Sequence, residues 1–402
     1  MPSQDRPPFD QTAVGSVPRR IALAMIARDE ARAIERCLQS VRPWVDEMIV
    51  LDTGSVDATP AIAARCGARV THFAWVDDFS AARNAALALT DADWCLVLDA
   101  DEWIEDGGEC LAAVRDAEPA FVGQLNVVSL IEDGSGRVER APSWLSRLLP
   151  RGVRYEGRVH EQPATALPRR RLALTIGHDG YRPAQMDGKR GRNRRLLQLA
   201  LAAQPDDAYL LYQLGKDHEV HAEFDAAAFH YAQADGGSVD AAWRHDWIVR
   251  RLYTLKRLAR FEEALVLADA AMPRWSGSPD FFFTIGDLLL AWAAAEPAHA
   301  AVLLPMIESS WLRALEIGEC PQLQDSVVGR GSFLAAYNLA VLHDGLGDPA
   351  QARYWREREA TLRRAHAGPR DAVAARPEAQ PAVPNWPVPV PHFEPSTGAV
   401  AA

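Results

Sequence analysis

Short apolar runs alternate with amphipathic stretches along the first quarter of the chain. Ile21-Ala-Leu-Ala-Met-Ile26 has no polar residue and reads as a buried strand. From Asp29 to Val41, the positions Ile34, Leu38 and Val41 recur at helical spacing and predict a helix with one apolar face. Glu47 to Leu51 predicts a second strand, Ala58 to Cys66 a helix, and Arg69 to Phe73 a short third strand. Ser80 to Leu89 follows as a helix and Trp94 to Leu98 as a fourth strand. Strands that alternate with helices pair in parallel through right-handed crossovers. Ligands of such sheets sit beyond the carboxyl ends of the strands. Asp52, Asp99 and Asp101 all fall at predicted strand ends.

The pattern changes twice more. Gly123 to Ile131, Ser146 to Leu149 and Leu172 to Ile176 read as strands, and after about Lys189 the chain reads as nearly continuous helix. Within that helical part, Leu214-Gly215, His218, Ala222, Phe224, Ala227, Tyr231 and Ala234 keep the spacing of a helix-turn-helix repeat of about 34 residues. Phe261 to Ala264 with Ala271, Ile285-Gly286, and Leu339-Ala340 with His343, Gly347 and Ala352 repeat parts of it. Small residues at these places let paired helices approach closely. The expected organisation is a disordered start over 1–17, an α/β domain over 18–185, tetratricopeptide-like helical repeats over 189–366, and a disordered Pro/Ala-rich tail over 367–402.

Composition narrows the function classes. The 402 residues are 48% hydrophobic and 24% charged, which is globular, and exceed what one ordinary domain needs. A formal net charge of −11 argues against nucleic-acid binding. The five cysteines lack any CxxC spacing, so a reducing compartment fits best. No signal-type or membrane-spanning apolar segment is read, and a cytoplasmic location is expected. Glycine-rich dinucleotide and P-loop motifs are missing, as is GxSxG.

The strand-end acids carry the chemistry. Asp99-Ala-Asp101 places two carboxylates at the end of an apolar strand, and hard oxygen ligands suit Mg²⁺ or Mn²⁺. Such a cation is what a nucleotide-diphosphate leaving group requires. Asp52, before Thr53-Gly-Ser55, can accept a hydrogen bond from a base or ribose, while Asp57 suits the cap of the next helix.

Four segments together carry a resemblance: Ala24-Met-Ile-Ala-Arg-Asp-Glu30, Leu51-Asp-Thr-Gly-Ser-Val-Asp57, Asp78-Phe-Ser-Ala-Ala-Arg-Asn84 and Leu98-Asp-Ala-Asp-Glu-Trp103. They resemble the motifs of family-2 inverting glycosyltransferases with the GT-A fold, in the branch where tetratricopeptide repeats follow the catalytic domain. Bacterial peptide S-glycosyltransferases and lipopolysaccharide-core glucosyltransferases are of this kind. The likeness spans about Ile21 to Tyr181. It implies an α/β GT-A domain with a Rossmann-like sheet, followed by an all-α repeat domain. It also implies transfer of a hexose-type sugar from a nucleotide-diphosphate donor, with a UDP-sugar favoured, to a peptide or glycan acceptor.

The resemblance further assigns roles. Asp52, Arg83, Asn84 and Asp99 would bind the donor. Asp99, Asp101 and His178 would hold Mg²⁺ or Mn²⁺. Glu161, in Arg154-Tyr-Glu-Gly-Arg-Val-His-Glu161, would be the general base, where the superfamily usually has an aspartate; Asp179 is the alternative. Trp144, Arg147 and His160 would lie on the acceptor side. If the repeats hold the acceptor, the donor contacts are expected wholly within 18–185, with the Leu196, Leu197 and Leu201 face of the first repeat helix packed on the catalytic domain or on its neighbour helix. The rival of another class is a repeat adaptor with a degenerate transferase domain.

Overall fold

The computed structural model describes residues 18–132, 138–181, 191–238 and 240–366. The expected disordered ends, 1–17 and 367–402, lie outside the described residues, as does the expected junction between 185 and 189.

Strands β1 (Ile21–Ala27), β2 (Glu47–Asp52), β3 (Arg69–His72) and β4 (Trp94–Leu96) pair in parallel in the order β3-β2-β1-β4. Helices α1 (Ile34–Val41), α2 (Thr59–Arg65) and α3 (Phe79–Leu87) connect them. Both faces of this half-sheet are covered. Ile21, Leu23 and Met25 share one core with Ile34, Leu38 and Val41. Ala24 and Leu51 share another with Ala86, Leu87 and Cys95. That is why β1 is apolar at every position rather than alternating.

Helix α1 starts later than Asp29. The preceding residues are tied to the turn after β2: Asp29 N–H donates to Ser55 Oγ, Glu30 N–H to Thr59 Oγ1, and Ala31 N–H to Asp57. Asp29 itself takes φ 55°, outside the helical region. Helical periodicity there competed with side-chain acceptors that a linear reading does not see.

The remaining strands and helix are β5 (Glu102–Asp106), α4 (Cys110–Asp116), β6 (Val122–Glu132), β7 (Val138–Pro150), β8 (Tyr155–Glu156), β9 (Gln162–Pro163) and β10 (Arg169–Tyr181). The large sheet runs β3-β2-β1-β4-β7-β6-β10-β5, and β8-β9 form a separate hairpin. β7 is antiparallel to β4 and β6, and β5 is antiparallel to β10 at the sheet edge. The sequence reading did not include β5, because its polar residues carry no clear alternation. Its register decides the site: His178 lies opposite Glu102 on one side and Ser129 on the other.

The helical part comprises α5 (Arg192–Ala203), α6 (Ala208–Val220), α7 (Phe224–Gln233), α8 (Arg244–Arg257), α9 (Phe261–Trp275), α10 (Pro279–Ala295), α11 (Ala300–Ile317), α12 (Phe333–Gly345) and α13 (Pro349–His366). The small residues do what their spacing predicts. A Cβ on Gly215 would stand 2.6 Å from the Tyr231 ring, and one on Gly286 would stand 2.4 Å from Trp311. One core runs from Leu211 through Trp247 and Phe281 to Leu342. Among the described residues no single helix is long and apolar enough to cross a membrane.

A seam joins the two parts. Leu196, Leu197 and Ala200 of α5 are buried with Val159, Leu210 and Leu214, with Trp75, Phe79 and Leu201 packed against them. The expected leucine face therefore meets both the α/β domain and its neighbour helix.

Candidate active site

Asp99 leaves the end of β4 and meets two arginines from distant segments. Its carboxylate accepts from Arg83 Nη2 at 2.8 Å and from Arg147 Nη2 at 2.8 Å. Arg83 Nε also donates to Glu161 Oε1 at 2.5 Å, and Arg147 Nη2 donates to Glu102 Oε1 at 2.6 Å. The result is an alternating chain, Glu161–Arg83–Asp99–Arg147–Glu102. Burial works against a charged Asp99, but the two guanidinium groups outweigh it and hold its carboxyl far below the usual range. Burial instead wins at Glu102 and raises its pKa. Arg83 and Arg147 gain more from these carboxylates than burial costs, so both stay charged. Burial pushes the Tyr155 hydroxyl, beside Arg83, up to about 12.

The backbone that carries Glu161 is fixed by the helix that carries Arg83. Asn84 Nδ2 donates to the Tyr155 carbonyl at 2.9 Å, and Tyr155 N–H donates to Asn84 Oδ1 at 2.8 Å. Phe79 N–H donates to the Arg158 carbonyl at 2.8 Å. These bonds clamp the β8–β9 hairpin to α3 and set Glu161 against Arg83. Asn84, expected beside the donor, thus spends both ends of its amide on the Tyr155 backbone and does not line the cavity.

The metal candidates separate. Asp101 is buried, with Oδ2 3.5 Å from His178 Nε2. His178 Nδ1 lies 3.0 Å from Ser129 Oγ, which orients the ring. Burial opposes protonation of His178, but the hydrogen bond and charge of Asp101 leave its pKa above the ordinary value. Asp99 faces its two arginines, and among the described residues no three His, Cys, Asp or Glu side chains are grouped so as to hold a metal ion. The expected trio is therefore a pair plus a separately held acid. A hard carboxylate oxygen and an oriented imidazole nitrogen fit Mg²⁺ or Mn²⁺, ions that complete their shell with water and substrate phosphate.

Other expected residues take distinct places. Asp52 is buried and accepts from Gly54 and Ser55 N–H, each at 3.2 Å, with His72 Nδ1 3.1 Å away. Against the cost of burial, these contacts lower its pKa. Its neighbour Thr53, not Asp52, lines the large cavity. Trp144 lies under Arg171, 4.8 Å from guanidinium carbon to ring centre, and away from that cavity. Arg147, expected on the acceptor side, does line the cavity, but its Nη2 is committed to Asp99 and Glu102. His160 adopts φ 54°, lines the cavity, and has its pKa lowered by burial. Asp179, the alternative base, is held by Arg32 through both oxygens and by Arg36. Those bonds overcome burial and bring its pKa to about 2. It does not line the cavity.

The cavity itself has a volume of 1010 Å³. Arg28, Glu30, Arg83, Asp99, Asp101 and His178 line it from the α/β domain, with His160, Glu161 and Gln162 at the hairpin. The helical part also contributes to the lining: Arg192 and Asn193 of α5, Tyr209, Gln213, Lys216 and Asp217 of α6, and Gln324 with Asp325. The cavity is therefore walled by residues of both the α/β domain and the helical part. The buried leucines of α5 were the one sequence signal that this seam existed.

A half-parallel, half-antiparallel sheet with strand-end acids facing a cavity is the architecture of a GT-A-type glycosyltransferase domain. The glycosyl transferase family 2 profile matches residues 23–174. A TPR repeat-containing protein of Synechococcus elongatus, Synpcc7942_0270, is 34% identical over 72% of this chain and 77% of its own length. The glycosyltransferase SunS of Bacillus subtilis is 29% identical over 49% of each chain. Glucosyl-3-phosphoglycerate synthase of Mycobacterium tuberculosis, solved with Mg²⁺ and UDP, is 26% identical over 27% of this chain and 44% of that one. Its TM-score of 0.24 is too low to carry a residue assignment. The chain belongs to glycosyltransferase family 2, in a form with C-terminal tetratricopeptide-like repeats.

Proposed function

We propose that this family-2 glycosyltransferase moves a hexose-type sugar, with inversion, from a nucleotide-diphosphate donor to a polypeptide held partly by the repeats. UDP-sugars are the favoured donors. The observation that carries the reading is one cavity bounded by the Asp101–His178 pair and by Glu161, which is linked to Asp99 through Arg83.

Asp101 and His178 would hold Mg²⁺ or Mn²⁺, which when bound offsets charge on the leaving diphosphate. Arg83 occupies Oε1 of Glu161, so Oε2 remains to take the acceptor's proton as its nucleophile attacks the anomeric carbon. The bond from that carbon to the diphosphate breaks in the same step. Tyr209, Gln213 and Lys216 line the same cavity beside the hairpin that carries Glu161, which favours a role for the repeats in holding the acceptor. A cytoplasmic setting, where nucleotide-activated sugars are found, accompanies this reading. The assembled set of Asp101, His178, Glu161 and Asp99 weighs against a degenerate, adaptor-only domain.

The test is a thermal-shift screen of UDP-, GDP- and dTDP-sugars with Mn²⁺, followed by transfer assays on peptide and glycan acceptors. A UDP-sugar should raise the melting temperature, since a ligand of the native state stabilises it. No shift and no donor hydrolysis with any sugar nucleotide would remove the reading. Transfer to glycans alone would replace the polypeptide as acceptor.

A further inference from the structure

We propose that the helical repeats complete the donor-binding wall, and that Arg192 binds the diphosphate of the nucleotide donor. This rests on the sugar-transfer reading and adds a residue from beyond the segment matched by the family profile.

Arg192 is the first residue of α5, and three contacts fix that helix turn to the α/β domain. Arg195 makes a two-pronged bridge to Asp77, at 3.2 and 2.5 Å. Leu196 and Leu197 are buried with Val159 beside Trp75 and Phe79. The Arg192 guanidinium lies over the Phe79 ring, 5.1 Å from its centre. Phe79 begins α3 and Arg83 follows one turn later, so both rise from neighbouring positions on one helix. The support for Arg192 and the arginine that holds Asp99 and Glu161 thus share a scaffold.

The cavity's cations differ in what they already hold. Arg83 and Arg147 are engaged by Asp99, Glu161 and Glu102. Lys216 lies 3.3 Å from Asp246 and 3.8 Å from Asp325, and Arg28 lies 3.6 Å from Asp29. Among the described residues lining the cavity, Arg192 is the cation with neither an ion pair nor a hydrogen bond. It is exposed to the cavity's solvent yet enclosed by its walls, so desolvation lowers its pKa while the charges of Asp99 and Glu30 act in the opposite direction. An arginine remains charged under these conditions and offers a planar fork that matches phosphate oxygens. A diphosphate beside the Asp101–His178 pair would retain negative charge on its outer oxygens, and Arg192 is the uncommitted partner for it. Such a bond is charge-assisted, and therefore among the stronger polar contacts.

The test uses the full-length chain with Mn²⁺ and calorimetric titration of UDP, GDP and dTDP against their nucleosides. Arg192→Ala should weaken binding of the preferred nucleoside diphosphate roughly 10- to 100-fold, the range expected for loss of a charge-assisted hydrogen bond. Nucleoside affinity should not change, and the ligand-free melting temperature should fall only slightly through loss of the Phe79 contact, because the Arg195–Asp77 bridge and the buried leucines remain. Arg192→Lys should recover part of the loss, because it restores charge without the fork. Diphosphate binding by Arg192→Ala within about twofold of the parent would overturn the assignment and leave the sugar-transfer reading intact. Equal losses for nucleoside and diphosphate would also overturn it, since damage to the seam, not a phosphate contact, would be the cause. If the parent chain binds no nucleoside diphosphate, both this assignment and the reading beneath it fail.

Discussion

Two buried chains of alternating charge lie on either side of the seam, and they serve different ends. In the helical part, Arg250 donates to Asp246 at 2.6 Å and to Glu219 at 2.7 Å. Tyr212 and Tyr231 hydroxyls donate to the same two carboxylates, and Lys216 stands 3.3 Å from Asp246. Two cations face Asp246, Glu219 and, at 3.8 Å, Asp325 there, and the tyrosine hydroxyls take up further acceptor capacity of the two buried acids. In the α/β domain, Arg83 and Arg147 serve Asp99, Glu102 and Glu161 through ion pairs, with no tyrosine hydroxyl bonded to these carboxylates among the described residues. Asp99 is also about one third exposed, its side chain at 36%. The lesson is that a buried ion network alone does not mark a site. What marks it is an opening to solvent at Asp99 and a second pair, Asp101 with His178, at the same cavity.

The comparison can be broken by substitution. Asp101→Asn removes half of the proposed metal pair but none of the arginine chain. Transfer should fall by about 10³-fold or more, beyond what one lost electrostatic donor usually costs, while the melting temperature stays close to the parent's. EDTA should abolish parent activity and Mn²⁺ should restore it; full turnover in excess EDTA would end the metal assignment.

Glu161→Gln tests the open end of the catalytic chain. The amide keeps an oxygen for Arg83 but cannot take a proton, so kcat should drop about 10²–10⁴-fold with donor affinity nearly constant. Parent-level turnover in this variant would move the base elsewhere. Asp179 would be a poor substitute, because Arg32 and Arg36 already occupy it.

Arg250→Met sharpens the contrast from the other side. It takes the shared arginine from Asp246 and Glu219, leaving Glu219 with only the Tyr231 hydroxyl as a hydrogen-bond donor among the described residues, and removing one partner of a buried ion pair costs about 3–5 kcal/mol. Denaturant melts should show that loss, while kcat per folded molecule stays near the parent's. A selective fall in kcat, with stability retained, would mean the helical network communicates with the cavity through Lys216.

Much of this protein was legible in residue order. Apolar runs specified β1, β2 and β4 because both faces of a parallel sheet are covered, and the small residues Gly215 and Gly286 signalled the close packing of helices onto Tyr231 and Trp311. The strand-end position of Asp99 and Asp101 followed from the same pattern. Other features required the folded chain. Pairing of β10 with β5 and β6 sets His178 between Asp101 and Ser129, and no local periodicity encodes that register. The partners of Asp99, the use of Asn84 to fix the Tyr155 backbone, and the wall supplied by Arg192 and Lys216 likewise join segments far apart in sequence. Sequence fixes local geometry through backbone and apolar spacing, which act over a few residues. Which polar groups meet across the cavity depends on how whole elements pack, because a charge is neutralised by whatever the fold brings within a few ångströms of it.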